Sequence, residues 1–167
     1  MKRFLLLGFA LVATPAFGAA PTPPACADAK FRALDFWVGE WDLAWKGGGG
    51  MNHIAKSYEG CVIEEHFDGQ PSQHLQGHSI SLYDVKSAQW RQMWVDNEGE
   101  IYDLAGGPQA DGTFALTELH AQANEPRYRM VFENIKPDSF DWHWQGLKDG
   151  KTWTDSWVIH YARKKAA

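Results

Sequence analysis

The tripeptide Gly39-Glu40-Trp41 follows the apolar run Leu34–Val38 and opens a strand-like segment, Trp41–Lys46. From there to the C-terminus, turn residues alternate with short runs rich in tryptophan, tyrosine, valine, isoleucine and threonine, which favour strands. The turn signals are Gly47–Gly50, Asp68-Gly69, Val85–Ala88, Asn97-Glu98-Gly99, Asp111-Gly112, Lys136-Pro137-Asp138 and Asp149-Gly150. They separate about ten strands with no helix-length segment between them. The sequence therefore predicts an all-β fold, a single antiparallel meander β-barrel with a short N-terminal helix, because closing the sheet removes its exposed edges.

The N-terminal residues have the pattern of a signal peptide. A basic pair precedes the apolar run Phe4–Val12, and Ala16-Phe17-Gly18 supplies small residues where a signal peptidase reads. The run is too short to span a membrane, which takes ~20 apolar residues. We therefore expect a signal peptide over 1–18, an extended leader over 19–25, a barrel over 26–165, and a periplasmic or secreted mature protein.

The charge of the chain argues against two classes of partner. Without Lys2 and Arg3, 14 of the 16 basic residues remain against 21 acidic ones, a formal charge of −7. Nucleic acid requires a basic footprint, and the tail Arg163-Lys164-Lys165 is the one short basic run. We therefore expect neither nucleic-acid binding nor a membrane span in a single domain of 149 residues.

The N-terminal part of the mature chain carries two further predictions. Cys26 and Cys61 both survive cleavage, and an even cysteine count in an exported protein favours a disulfide. Ala25–Phe36 is the one candidate helix, in which Asp28 caps the start and Phe31 shares a face with Leu34. Such a helix would cover one end of the barrel.

The C-terminal hairpin predicts an aromatic interior. If Asp149-Gly150 is a two-residue turn, the numbers of opposed residues sum to 299. The opposed pairs are then Phe140 with Ile159, Trp142 with Trp157, Trp144 with Asp155, and Gly146 with Trp153. This face points inward, because its tryptophans would otherwise form a large exposed apolar patch. Tyr161 and Arg163 continue it.

The hairpin around Val85–Ala88 leaves two interpretations open. With Tyr83 opposite Trp90, one face carries Ser79, Ser81, Tyr83, Trp90, Gln92 and Trp94. The other carries Ile80, Leu82, Met93 and Val95. A dry core would bury the aliphatic face, whereas a ligand cavity would bury the aromatic and polar one and leave an aliphatic stripe outside.

Glu65 is the most informative charged residue. It alternates with Cys61, Ile63 and Phe67, so the apolar pattern places it on an inward face. An inward carboxylate needs a partner or a raised pKa. It could serve a ligand, act as an acid or base with Tyr83, Gln92 or Asp155 nearby, or belong to a structural network.

Several stretches together resemble the calycin superfamily. In that superfamily a first-strand tryptophan packs at the closed end beneath a basic residue of the last strand, roles that Trp41 and Arg163 match. The chain is similar in more detail to an uncharacterised bacterial family of secreted calycin-like barrels, a domain of unknown function. The matching stretches are Phe36–Asp42, Gly60–His66, Tyr83-Asp84, Trp90–Asp96 and Asp149–Trp153. The resemblance favours Trp90, Gln92 and Trp94 as inward residues. The strand count also resembles nitrobindin-type barrels, but no residue matches their haem-binding histidine.

The remaining chemistry is sparse. His74 and His78 would lie ~13 Å apart on one strand, too far to share a metal ion. His66, His143 and His160 are expected on outer faces, and no nucleophile motif or phosphate loop occurs. We therefore predict no metal site and no catalytic residue, and the sequence names no cofactor.

The aromatic content, nine Trp, nine Phe and five Tyr, fits a small-molecule cavity as well as a packed core. The first hypothesis is an exported barrel that binds a small apolar or aromatic molecule. Its predicted cavity residues are Glu65, Tyr83, Trp90, Gln92, Trp94, Trp142, Trp144 and Trp157. One alternative is an interaction or structural module of the cell envelope, which the aliphatic stripe favours. Another is a small-barrel enzyme that uses Glu65.

Overall fold

The computed structural model describes residues 26–121, 127–147 and 150–165, which form a closed antiparallel barrel of ten strands. The strands are β1 (Gly39–Trp45), β2 (Gly48–Ser57), β3 (Val62–Asp68), β4 (Gln76–Asp84), β5 (Gln89–Asp96), β6 (Ile101–Pro108), β7 (Phe114–Glu118), β8 (Arg127–Lys136), β9 (Ser139–Leu147) and β10 (Thr154–Arg163). Each strand pairs with its neighbours in chain order, and β1 closes on β10. The predicted meander barrel is confirmed, and its architecture is consistent with a calycin-like fold. The predicted signal peptide and leader lie outside the described residues.

The N-terminal segment is wound more tightly than predicted. The predicted short N-terminal helix is present, but as two 3₁₀ turns over Ala29–Phe31 and Asp35–Trp37 rather than one helix over Ala25–Phe36, and Asp28 makes no side-chain cap. Their backbone bonds run from residue i to i+3. Phe31, Leu34 and Trp37 are three apart, so the three-residue repeat brings them to one side. Ala25 lies outside the described residues.

The turn predicted at Gly47–Gly50 is shorter in the structure than the glycine run. Only Lys46 and Gly47 form the turn, and Gly48–Gly50 already pair with β1 inside β2. A Cβ on Gly49 would lie 2.5 Å from the Leu43 carbonyl oxygen. Glycine is therefore needed here for the close approach of two strands.

The register of the last hairpin differs from the predicted one by two residues. Trp157 lies opposite Trp144, Ile159 opposite Trp142, and Tyr161 opposite Phe140. A bulge between Asp155 and Trp157 accounts for the irregularity. Because side chains alternate with period two, a shift of two residues keeps Trp142, Trp144 and Trp157 on the inner face. Asp149, half of the predicted turn, lies outside the described residues.

Beyond that bulge, the inward prediction for Asp155 and Trp153 is wrong. The Asp155 carboxylate accepts hydrogen bonds from His143 and from the Gln145 amide at 3.1 and 2.8 Å, on the outer face of β9. Trp153 lies outside as well, with its ring 4.4 Å from the Arg129 guanidinium carbon. The extra residue of the bulge moves both side chains out of the inward alternation.

The two interpretations of the β4–β5 hairpin are resolved in favour of a polar interior. Tyr83 pairs with Trp90 as expected, and Ser79, Ser81 and Gln92 are buried. The other face is the aliphatic stripe, exposed by 37–45%. Its members are Ile80, Leu82, Met93 and Val95.

The predicted disulfide is confirmed. Cys26 and Cys61 are bonded across 35 residues of chain, which ties the N-terminal segment to the residue before β3. The bond suits an oxidising compartment. Among the described residues, no helix has the length and apolar character that crossing a membrane requires.

Candidate functional site

One end of the barrel is closed by residues 29–37, which we call the plug. The Phe36 ring meets the rings of Phe114, Phe132 and Phe140 edge-on, with centroids 5.5–6.1 Å apart. Leu34 is fully buried beside them. Edge-to-face packing and full burial of this kind are typical of a close-packed core, so this end of the barrel belongs to the hydrophobic core.

Tyr83 and Trp90, both predicted to line a cavity, belong to this closed end. The Tyr83 ring lies 5.4 Å from Phe31, and the Trp90 indole donates a hydrogen bond of 3.2 Å to the Lys30 carbonyl. Neither residue lies on the wall of the cavity described below. Strand parity places both side chains inside, but it carries no information on their depth along the barrel axis.

Trp41 and Arg163 pack together at the same end. The guanidinium carbon of Arg163 lies 4.2 Å from the centre of the Trp41 ring, and its Nη1 donates to the Val38 carbonyl at 3.0 Å. Gly39 has φ +144°, and a Cβ there would lie 2.1 Å from Arg163 Nη1. The Gly39-Glu40-Trp41 motif thus has a physical reason, since glycine leaves the space in which the cation covers the indole.

A cavity of about 200 Å³ lies inside the barrel beyond this core. Six of the eight predicted cavity residues are on its wall: Glu65, Gln92, Trp94, Trp142, Trp144 and Trp157. The cavity is also lined by three carboxylates that the strand pattern did not predict, Asp96, Glu98 and Glu100. We call these three residues the rim. The described wall contains no lysine, arginine or histidine.

The aromatic part of the wall combines rings at right angles with parallel ones, since Trp142 and Trp144 lie parallel with 6.1 Å between their centroids. The Trp142 and Trp157 rings are 5.9 Å apart at 88°, and Tyr102 meets Trp144 at 5.0 Å and 71°. Trp144 also stacks on Tyr128, with 5.3 Å between centroids. The four tryptophans of the wall are only partly buried, in contrast to the closed end. Part of each of these indoles therefore faces the cavity.

Among the residues that the structure describes, Glu65 is held by neutral groups only. Its two carboxylate oxygens accept hydrogen bonds from Asn52 Nδ2 at 2.7 Å and from the Ser79 hydroxyl at 2.6 Å. Burial raises the pKa of the Glu65 carboxyl to about 7, against the lowering effect of these two bonds. Of the three roles left open by the sequence, the structural network is present, and its described members around Glu65 are Asn52 and Ser79.

The network leaves hydrogen-bonding capacity unused. Asn52 Nδ2 also donates to the Tyr161 hydroxyl at 3.1 Å, while Asn52 Oδ1 is buried without a partner among the described residues. Tyr161 lies on the cavity wall, and burial raises the pKa of its hydroxyl. Gln92, on the same wall, donates to Ser81 at 3.0 Å. A ligand in the cavity therefore meets a carboxyl group, an amide and a phenol.

The rim is ordered by hydrogen bonds to Asp96. One oxygen of this carboxylate accepts from the backbone N–H groups of Glu98 and Glu100, each at 3.0 Å. The other accepts from the Trp94 indole N–H at 3.0 Å. Burial, with added repulsion from Glu100 and other neighbours, raises the pKa of Tyr102 to about 12. The rim thus makes this part of the wall electronegative.

The acid–base arrangement considered from the sequence is only partly assembled. Glu65 and Gln92 share the cavity wall, whereas Tyr83 lies under the plug and Asp155 on the outer surface. A carboxyl group whose pKa lies near 7 can accept or donate a proton at neutral pH. Among the described residues, Tyr161 is the titratable group that the hydrogen-bonded network joins to Glu65.

Three histidines form a row that sequence reasoning missed. His53 pairs with His66, and His66 pairs with His78, on the outer face of β2, β3 and β4. The ring centroids are 6.2 and 4.5 Å apart. The register between neighbouring strands could have indicated this row, because it places the three histidines side by side. Only the distance between His74 and His78 along one strand was considered in the prediction. Among the described residues, no group of three or more His, Cys, Asp or Glu side chains is arranged to hold a metal ion.

Comparison of the chain with protein-family models and with curated proteins found no match in either.

Proposed function

We propose that this protein binds a small molecule in the cavity between the aromatic wall, Glu65 and the rim. The observation that carries the proposal is the contrast between the two ends of one barrel. Aromatic rings at the plug fill their space with one another, whereas Trp94, Trp142, Trp144 and Trp157 surround about 200 Å³ of empty volume. Ligand pockets typically measure ~300–1,000 Å³, so the ligand is a small one.

We further propose that the chain is exported and belongs to the bacterial family of secreted calycin-like barrels that its sequence resembles. The closed ten-strand meander, the cation over Trp41 and the disulfide support this assignment. N-terminal sequencing of the protein purified from its native host tests whether the chain is exported. Mature protein that begins at Ala19 is the expected result, and an intact Met1 contradicts export by cleavage.

The binding function is tested by tryptophan fluorescence and thermal shift across a panel of lipids, haem and small aromatic compounds. We expect quenching and a raised melting temperature with at least one class, and we expect Trp144→Phe to weaken both. Trp153→Phe is the matched control, because it removes the same indole from the outer surface. No response to any compound, or an equal effect of both substitutions, contradicts the proposal.

The aliphatic stripe favours a second candidate, an interaction module of the cell envelope. Ile80 and Met93 lie opposite each other on β4 and β5 and are 40% and 45% exposed. Sedimentation of the wild type against an Ile80→Lys/Met93→Lys variant tests this candidate. Association that the double variant abolishes supports it, while Val158→Lys, at an equally exposed site on β10, serves as control. A wild type that stays monomeric at every concentration counts against it.

A further inference from the structure

We propose that the ligand of the cavity is a small organic cation, a substituted ammonium group held between the aromatic wall and the carboxylates. This inference rests on the proposed binding function and adds the chemical class of the ligand. It is carried by the composition and geometry of the wall.

The first argument is the arrangement of the rings. The face of an indole or phenol ring attracts a cation through its quadrupole, most strongly for tryptophan and where water is excluded. Trp142 meets Trp157 at 88°, and Tyr102 meets Trp144 at 71°, so each of these two pairs forms a corner, while Trp142 and Trp144 lie parallel at 6.1 Å. A rounded ammonium group can contact two faces of such a corner at once, whereas a flat aromatic ligand stacks on one.

The second argument is the sign of the charges. The described wall holds four carboxylates, Glu65 and the three of the rim, and no basic side chain. Like charges in one concave, low-dielectric site add their fields and raise the local concentration of cations. An anionic ligand would be repelled by the same field. A neutral apolar ligand would gain nothing from it.

The rim is also tied to the ring it accompanies. Asp96 accepts a hydrogen bond from the Trp94 indole N–H, and two backbone N–H groups fix the same carboxylate. A negative charge on the indole nitrogen side increases the electron density of the ring face. The contact of that face with a cation is strengthened accordingly.

The third argument is that Glu65, which is only 5% exposed, has no cationic partner in the described part of the chain. The groups that face it are Asn52 from β2, Ser79 from β4 and, through Asn52, Tyr161 from β10. None of them is a cation, so the desolvation of the carboxylate is offset by hydrogen bonds but not by an opposite charge. A positively charged ligand in the cavity supplies the opposite charge and favours the ionised form of Glu65.

The test uses three molecules of one shape that differ in charge: choline, its neutral carbon isostere 3,3-dimethylbutan-1-ol, and the anion 3,3-dimethylbutanoate. Benzyltrimethylammonium and its isostere neopentylbenzene repeat the comparison with a larger body. Binding is measured by calorimetry and tryptophan quenching on the full mature chain at low salt and about pH 8. We expect at least one cation to bind roughly tenfold or more tightly than its isostere, and the anion not to bind.

Two matched double variants separate the rim from the overall charge. Glu98→Gln/Glu100→Gln removes two exposed rim charges, and Glu40→Gln/Glu133→Gln removes two from the outer surface of β1 and β8. The rim variant is expected to weaken cation binding several-fold and to leave neutral ligands unaffected. The surface variant should have little effect on either. Equal losses in both variants would overturn the role of the rim.

The outcomes distinguish this inference from the function beneath it. Neutral or anionic members that bind as tightly as the cations overturn the cation proposal and leave ligand binding intact. The same holds if every cation fails while a lipid, haem or neutral aromatic compound of the wider panel binds. If no compound of either panel binds, both proposals fail together.

Discussion

Replacing Glu65 by glutamine should make the protein more stable at neutral and alkaline pH. The protonated carboxyl group and the amide have the same shape. Each can accept from Asn52 through one atom and donate to the Ser79 hydroxyl through the other, so Glu65→Gln preserves the network of the neutral form. What the substitution removes is the buried negative charge, which has no cationic partner among the described residues. The variant therefore isolates the cost of that charge.

The magnitude follows from the two pKa values of the same carboxyl group. Its pKa is 4.5 in a solvated chain and about 7 in the folded barrel. Because the folded pKa is the higher one, the stabilising contribution of the protonated group is complete below pH 4.5 and is lost as pH rises through 7. A difference of 2.5 pKa units corresponds to about 3 kcal/mol. The amide of the Glu65→Gln variant does not titrate, so the free energy of unfolding of the variant does not decrease with pH for this reason.

The measurement is urea denaturation of both proteins at a series of pH values from about 4 to 8.5. Titrations of all other groups are common to both chains and cancel in the difference. The variant should gain about 3 kcal/mol relative to wild type between the low and the high end of the series. Glu64→Gln is the control, since it removes a carboxylate from the opposite face of the same strand, where Glu64 accepts from Ser57. A difference curve for Glu65→Gln that is flat, or that falls with pH, refutes the reasoning.

Three further predictions concern the parts that support the site. Gly39→Ala should lower the free energy of unfolding by about 1–3 kcal/mol, because its Cβ would strike Arg163, and in chemical denaturation it should lose more than Gly112→Ala, a positive-φ site with open space. Cys26→Ser/Cys61→Ser should cost about 4 kcal/mol in the same assay, from the loop entropy of 35 residues, and an unchanged stability would contradict it. Gly77→Ala should displace Trp94, whose ring would lie 2.0 Å from the new Cβ, so tryptophan emission and ligand affinity should change, whereas Gly146→Ala, with a 3.4 Å contact, should leave both unchanged.

Most of what could be predicted from the sequence rests on the alternation of side chains between the two faces of a strand. Alternate side chains of one strand share a face, and a register error of two residues does not change that face. The predicted inward orientation of Trp142, Trp144 and Trp157 is therefore correct although the predicted register of the hairpin is not. Glu65 was placed inside by the same argument. The fold class followed from the absence of helix-length segments, and the disulfide from an even cysteine count in a chain expected to be exported.

The errors arose where alternation ends. A bulge after Asp155 reversed the orientation of that residue, and nothing in the local composition announces an extra residue in a strand. The rim residues Glu98 and Glu100 lie in a turn, where no period applies and exposed acidic residues are ordinary. Their position on the cavity wall becomes visible only when the barrel closes and brings the β5–β6 turn next to the tryptophans of β9 and β10.

The two ends of the barrel show why aromatic content alone cannot distinguish a core from a binding site. Trp90 and Trp94 lie on one face of β5, four residues apart, and alternation treats them alike. Trp90 donates to the carbonyl of Lys30 in the plug and is buried, whereas Trp94 donates to Asp96 and lines empty volume. The two tryptophans differ because the plug reaches into only one end of the barrel, where Leu34 and Phe36 pack into the core. A cavity is thus left at the depth that the plug does not reach, and only there do a buried carboxyl group and partly exposed indoles have room for a ligand.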